Sequence, residues 1–100
     1  MSRLVDRIGI QAMLEQTAEE ANELGFVCLK LARLLRGENK VYGRTEEELV
    51  DNVEEELADI FVCASELHDS TWIDYGNVKE WVRRKRRRID KRLREEDDAY

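Results

Sequence analysis

Not one proline interrupts the 100 residues of this chain, and apolar residues recur along it at helical spacing. Because proline disrupts the interior of a helix more than any other residue, its absence favours long helices over a sheet-rich fold. Charged residues make up 40% of the chain, which is typical of helices with one apolar face. We therefore expect an all-α fold, in a single domain over residues 1–100.

Glycine and a short connection define the first half of this fold. A short segment over residues 3–8 should end near Gly9, and a long helix should run over residues 10–36, with Gly37 as its stop. A second long helix follows after a few residues, so the two should form an antiparallel helical hairpin.

Capping residues define the second half. Thr45 and Glu48 match a capping box that opens the second helix, which should reach about His68. Asp74 is a suitable N-cap for a C-terminal helix over residues 75–97. In a chain this short, three helices bury little apolar surface, so we expect a four-helix-bundle type of fold that is completed by oligomerisation.

Acidic residues fall within the apolar stripes of both hairpin helices. At 100° per residue, Glu20 lies inside the first stripe and Glu56 inside the second, while Glu23 and Asp59 lie on the shoulders. The first stripe consists of Met13, Thr17, Leu24, Leu31 and Leu35, and the second of Leu49, Val53, Ile60 and Leu67. Each helix therefore presents a pair of acids, spaced three residues apart, toward the expected core.

The two acid pairs are also predicted to lie at one height in the hairpin. Glu23 precedes Arg36 by 13 residues, and Asp59 follows Glu46 by 13 residues. At about 1.5 Å per residue, both pairs then lie roughly 20 Å from the turn. Four carboxylates at one level in an apolar groove would repel each other and lose solvation. A hard cation removes both problems, and carboxylate oxygens are ligands that Mg²⁺ prefers.

At these positions the chain resembles the MazG-like all-α nucleoside triphosphate pyrophosphohydrolases, whose signature is E-x-x-E on one helix and E-x-x-D on the next. This chain has EEANEL at residues 19–24 and EELAD at residues 55–59, and the likeness extends over roughly residues 8–93. Between Glu23 and Glu56 lie 32 residues, which is a long interval for the family. The resemblance therefore does not specify which nucleotide is the substrate.

The resemblance implies a cytoplasmic hydrolase that cleaves a nucleotide between its α and β phosphates, giving a monophosphate and pyrophosphate. It implies Mg²⁺ as the cofactor, with Mn²⁺ as a substitute, and a homodimer or homotetramer as the assembly. Carried over residue by residue, the metal ligands and catalytic residues would be Glu20, Glu23, Glu56 and Asp59.

Candidate contacts to the substrate come mainly from the basic C-terminal helix. Residues 1–77 carry 7 basic and 17 acidic residues, whereas residues 78–100 carry 10 basic and 6 acidic residues. On the last helix Lys85 and Arg88 border the apolar stripe, and the resemblance implies phosphate contacts for them. Lys30 and Asn52 flank the acidic groove and are further candidates for substrate binding.

Other functions compete with this interpretation. Within the superfamily, the alternatives are phosphoribosyl-ATP pyrophosphohydrolase activity and dUTPase-like activity; the family's usual histidine for the former is missing after Asp59, because the chain continues as IFVCASEL. From another class, a helical nucleic-acid-binding module would use RRKRRR, although the acidic body opposes phosphate binding. A non-catalytic helical interaction protein is a third alternative. No stretch is long and apolar enough to suggest a membrane partner.

The two cysteines, Cys28 and Cys63, have no metal-binding spacing and both fall on apolar faces. We expect both to be reduced, buried thiols of a cytosolic protein.

Overall fold

The computed structural model describes residues 3–37 and 44–99, and all regular secondary structure in these ranges is helical. Helix α1 spans Leu4–Arg36, α2 spans Glu46–His68 and α3 spans Tyr75–Ala99. The prediction of an all-α fold is confirmed for this part of the chain. The predicted loop between α1 and α2 lies largely outside the described residues. No described helix combines the length and the apolar character needed to cross a membrane.

Two glycines shape α1 at the predicted positions. Gly9 has φ 86° and ψ 163°, so the helix is kinked there and residues 4–8 form a separate short segment. Gly37 ends the helix in the left-handed conformation, with φ 74°, and its N–H donates to the carbonyl oxygens of Arg33 and Leu34. Both conformations favour glycine because a Cβ atom would clash with the backbone.

The predicted caps of α2 and α3 are present. The Thr45 hydroxyl accepts a hydrogen bond from the Glu48 N–H at 3.1 Å. The Asp74 carboxylate accepts one from the Asn77 N–H, also at 3.1 Å. Each cap satisfies a helix N–H that has no carbonyl partner within the helix, which is why these residues start helices.

The core lies between α1 and α2. Met13 and Leu49 are fully buried, and Met13 forms a cluster with Val5 and Cys63. The N-terminus of α1 is fixed to the end of α2 because the Leu4 and Val5 N–H groups donate to the Glu66 carboxylate at 3.0 and 3.3 Å. The short segment before Gly9 thereby closes one end of this core.

Contacts between α1 and α2 occur in opposite sequence order. Glu66 accepts hydrogen bonds from the start of α1. Further along α1, Glu20 lies beside Asp59 and Glu23 lies beside Glu56. Later residues of α1 thus meet earlier residues of α2. The interface brings the two acid motifs to the same height.

Helix α3 extends away from this pair. Every side chain from Trp81 to Asp98 is exposed. The radius of gyration is 17.9 Å, compared with about 13 Å for a compact domain of this length. The connection is ordered nonetheless, since the rings of His68 and Tyr75 stack in parallel with their centroids 4.1 Å apart.

Two predictions about the core are wrong. Leu35 is 63% exposed, although it was placed in the apolar stripe of α1. In the observed register it would face residue 44, which precedes α2, so no helix covers it. Cys28 is exposed, whereas Cys63 is buried as expected. Cys28 lies on a flank of α1 that α2 does not reach.

Candidate metal centre

Three of the four predicted acids converge where α1 and α2 meet. Glu20, Glu56 and Asp59 each offer one carboxylate oxygen, and these oxygens lie within 4.8 Å of one another. All three residues are half-buried. Their position follows from helix geometry, because Glu56 and Asp59 are one turn apart on α2 and Glu20 faces them from α1.

Two oxygens of this cluster are shielded from solvent and lack a hydrogen-bond donor. These are one Oε atom of Glu20 and one of Glu56, and both are inaccessible although each residue is half-exposed as a whole. Buried acceptors normally have a partner, because a lost hydrogen bond to water costs free energy that must be replaced. A bound cation would supply the missing partner for both oxygens.

The environment opposes ionisation of two of these carboxyls. Loss of solvation, followed by the charges of Glu23 and Asp59, raises the pKa of Glu20 from 4.5 to about 7. Loss of solvation, followed by the charges of Glu23 and Asp59, also raises the pKa of Glu56. When protonated, Glu20 can donate a hydrogen bond to Asp59, and Glu56 can donate one to Glu23. The cluster therefore favours a shared proton or a cation over four free charges.

Glu23 lies at the rim of the cluster. It is exposed, but it is close enough to raise the pKa values of Glu20 and Glu56. Its shoulder position on the α1 stripe explains this exposure, since α2 covers the centre of the stripe. The structure thus brings three acids together and leaves the fourth at the opening.

The oxygens present fit a hard divalent cation. Two ligands of one Mg²⁺, each at about 2.1 Å from the ion, lie at most about 4.2 Å apart in an octahedral shell. The three oxygens lie within 4.8 Å of one another, so a cation that bound all three would draw them closer together. No softer ligand, histidine or cysteine, belongs to this cluster of described residues, which favours Mg²⁺ or Mn²⁺ over Zn²⁺.

Lys30 lies on α1 and Asn52 lies on α2, in the two helices that form the cluster. Both are half-buried. Asn52 is one turn before Glu56 on α2, and the Lys30 Nζ atom lies 4.4 Å from the centroid of the Phe26 ring. Lys30 is therefore held by a cation–π contact, seven residues after Glu23 on α1.

Lys85 and Arg88 are placed differently. Both are exposed on α3, outside the α1–α2 interface that forms the cluster. Within one chain, the structure does not bring either side chain into the acidic groove.

Sequence reasoning missed the role of Glu66, which caps the start of α1 from the neighbouring helix. Arg3 adds to this contact through an ion pair with Asp69, with 3.0 Å between Nε and Oδ2. A sequence signal was present, because Glu66 follows Asp59 by seven residues and lies on the same face of α2. The helix end that it caps could not be identified without the fold.

No protein-family model matches this chain, and searches of curated proteins and of solved structures also found no match.

Proposed function

We propose that this chain is an Mg²⁺-dependent nucleotide pyrophosphohydrolase that cleaves a nucleoside triphosphate between the α and β phosphates. The observation that carries the proposal is the pair of shielded, unpartnered oxygens of Glu20 and Glu56 beside Asp59. The assignment to this reaction, rather than to another use of a divalent cation, rests on the resemblance of EEANEL and EELAD to the MazG-like motifs.

In this proposal Glu20, Glu56 and Asp59 hold the cation. When bound, Mg²⁺ offsets the charge of phosphate oxygens and makes a water molecule more acidic. Glu23 is exposed at the rim and is not one of the three converging ligands. It is therefore the carboxylate best placed to accept a proton as a general base.

Lys30 and Asn52 are the proposed phosphate contacts on the hairpin itself. Lys30 can leave its cation–π contact with Phe26 for a stronger, charge-assisted contact to phosphate. Asn52 can donate a hydrogen bond from the same face of α2 as Glu56. The predicted contacts from Lys85 and Arg88 require α3 to approach the groove, so they depend on a movement of α3 or on a second copy.

A panel of nucleotides with Mg²⁺ tests the proposed reaction. It should contain the common nucleoside triphosphates, dUTP and phosphoribosyl-ATP, with products identified by phosphorus NMR. Monophosphate with pyrophosphate is the expected result, and the preferred substrate separates the main proposal from the two superfamily alternatives. Diphosphate with orthophosphate, or no turnover of any nucleotide, would contradict it.

A nucleic-acid-binding module is the second candidate, and the exposed basic face of α3 favours it. Against it, α2 carries nine acidic residues and no lysine or arginine. Binding to DNA that weakens steeply with salt, together with no hydrolysis of the nucleotide panel, would support this candidate instead.

A further inference from the structure

Helix α3 carries an apolar stripe that no described helix covers. Val78, Val82, Ile89 and Leu93 recur at helical spacing and are 42–53% exposed. At 100° per residue, Lys85 and Arg86 border the gap in this stripe between Val82 and Ile89, each about 50° from its axis. The stripe is thus long enough to pack against another helix, and its gap is bordered by positive charge; Lys85 repeats the spacing of the stripe on α2 described next.

Helix α2 carries a similar stripe away from the acid cluster. Val50, Leu57 and Phe61 are exposed and lie about 100–140° round α2 from Glu56. Glu54 occupies the position between Val50 and Leu57 and is also exposed. Each stripe therefore has one gap, which basic residues border in α3 and an acid occupies in α2.

An antiparallel alignment matches the two stripes along their length. With Lys85 opposite Glu54, each remaining apolar residue of the α2 stripe meets an apolar residue of α3. The resulting pairs are Val78 with Phe61, Val82 with Leu57, and Ile89 with Val50.

The distribution of charge favours this direction. Residues 83–94 contain nine basic residues and one acidic residue, and they face residues 45–56, which contain seven acidic residues and no basic ones. Beyond these segments the sign of the charge reverses on both chains, because the acidic run over residues 95–98 begins opposite Arg44. A parallel alignment would instead place the acidic start of α2 against the start of α3, where Lys79 and Glu80 cancel.

A flank of α1 supplies a second wall to this surface. In two antiparallel helices, residues that are rotated by the same angle from the shared interface lie on the same side of the helix pair. Ala18, Ala21, Gly25 and Cys28 are therefore on the side of the α2 stripe, and all four are exposed. A Cβ atom at Gly25 would meet nothing within 4 Å. Small residues on one wall and large apolar ones on the other form a groove that a helix can enter.

The connection between α2 and α3 holds α3 away from the groove of its own chain. His68 and Tyr75 stack across it, and the Ser70 hydroxyl donates to the Leu67 carbonyl oxygen at 2.6 Å. Asp74 caps α3 at the same connection. Of these contacts, the His68–Tyr75 stack spans the connection, and closing α3 onto its own α2 would break it.

We propose that a second copy of this chain fills the groove, with α3 of each copy packing antiparallel against α2, beside α1, of the other. Such an exchange is two-fold symmetric, so it closes as a dimer and leaves no unfilled groove. This proposed dimer does not depend on the proposed enzymatic function. It assigns Lys85 to the contact with the partner subunit's Glu54, on a different face of α2 from the acid cluster.

Cysteine pairing tests the register and the exchange together. Leu57→Cys and Val82→Cys chains, each also carrying Cys28→Ser, are mixed and oxidised, and mixed disulfides are identified by mass spectrometry. Facing positions of packed helices come within the range of a disulfide. We expect a mixed disulfide for this pair and little with Val62→Cys as the matched control, because Val62 is exposed on the other side of α2.

Charge reversal tests the contact between Lys85 and the partner subunit's Glu54. Light scattering and sedimentation should show a dimer at micromolar concentration. Glu54→Lys or Lys85→Glu should each weaken it at least about tenfold, since every dimer gains two like-charge contacts. The double variant should restore the dimer. Glu55→Lys and Arg87→Glu change the same charges on the outer faces and should have little effect.

Three results would overturn the proposal. One is a stable monomer at all concentrations, with or without duplex DNA bound through α3. Another is equal weakening by Glu54→Lys and Glu55→Lys. The third is a disulfide that joins positions 57 and 82 only within one chain that carries both cysteines, which would show that α3 closes onto its own hairpin.

Discussion

Protonation of Glu20 links the acid cluster to the stability of the fold. Its pKa is raised to about 7 in the folded chain, whereas the unfolded value is near 4.5. The folded state therefore binds more protons between these values, and stability falls as pH rises from about 4.5 through about 7. The raised pKa of Glu56 acts in the same direction.

We predict that Glu20→Gln raises the melting temperature of the metal-free protein at pH 7.5 and flattens its dependence on pH. The amide removes the charge that the groove opposes and keeps the shape of the side chain. Thermal melting in EDTA from pH 4.5 to 8 measures this, with Glu19→Gln, on the exposed side of α1, as the control. Equal pH profiles for wild type and Glu20→Gln would contradict the assigned cause.

Glu56→Gln and Asp59→Asn should each remove most of the hydrolytic activity and weaken Mg²⁺ binding, while the protein remains folded. Each change replaces a charged ligand oxygen by a neutral one, which a hard cation binds poorly. Isothermal titration with Mg²⁺ and turnover of the preferred nucleotide measure the two effects. If Glu19→Gln reduced both as strongly, the cluster would not be the metal centre.

The residues of the cluster were largely predictable from sequence. Glu20 and Glu56 interrupt apolar stripes, and this pattern depends only on helical periodicity. The exposure of Glu23 agrees with its predicted shoulder position, whereas the exposure of Leu35 was not predictable in the same way. It depends on how far α2 reaches along and around α1, which is set by the packing of the two helices and by where α2 begins.

At the scale of elements, alanine substitutions at Gly9 and Gly25 of α1 should change the stability of the fold in opposite directions. Gly9 has φ 86°, a conformation that strains any L side chain, so Gly9→Ala should destabilise the fold by on the order of 1–3 kcal/mol. Gly25 lies in regular helix with open space at its Cβ position, so Gly25→Ala should stabilise by about 0.5–1 kcal/mol. Urea denaturation measures both. Similar effects of the same sign would show that the kink at Gly9 is not required.

The ends of the helices follow from local chemistry, and for that reason Gly37, Thr45 and Asp74 could be recognised in the sequence. The direction of α3 could not. It depends on the connection after His68, where the stacked rings of His68 and Tyr75 join the end of α2 to the start of α3. Such contacts have no periodic signature, so the sequence predicted an apolar stripe on α3 without showing that its own chain leaves the stripe uncovered.

At the scale of the whole molecule, the acid cluster and the proposed groove for α3 lie on different faces of α2. Metal binding and dimer formation should therefore be separable. Excess Mg²⁺ should raise the stability of the wild type by mass action, by about 2.7 kcal/mol when its concentration is 100 times the dissociation constant. Glu54→Lys, which leaves the acid cluster intact, should show the same increase when compared at equal subunit concentration, and Glu56→Gln should show almost none.

Melting curves with Mg²⁺ or EDTA, recorded beside light scattering of the same samples, measure both properties at once. We expect EDTA to lower the melting temperature of the wild type without dissociating the dimer, since no cluster residue belongs to the proposed interface. Loss of the Mg²⁺ effect in Glu54→Lys would contradict this separation. It would mean that the partner subunit completes the metal centre, and α3, with Lys85 and Arg88, would then have to approach the acidic groove itself.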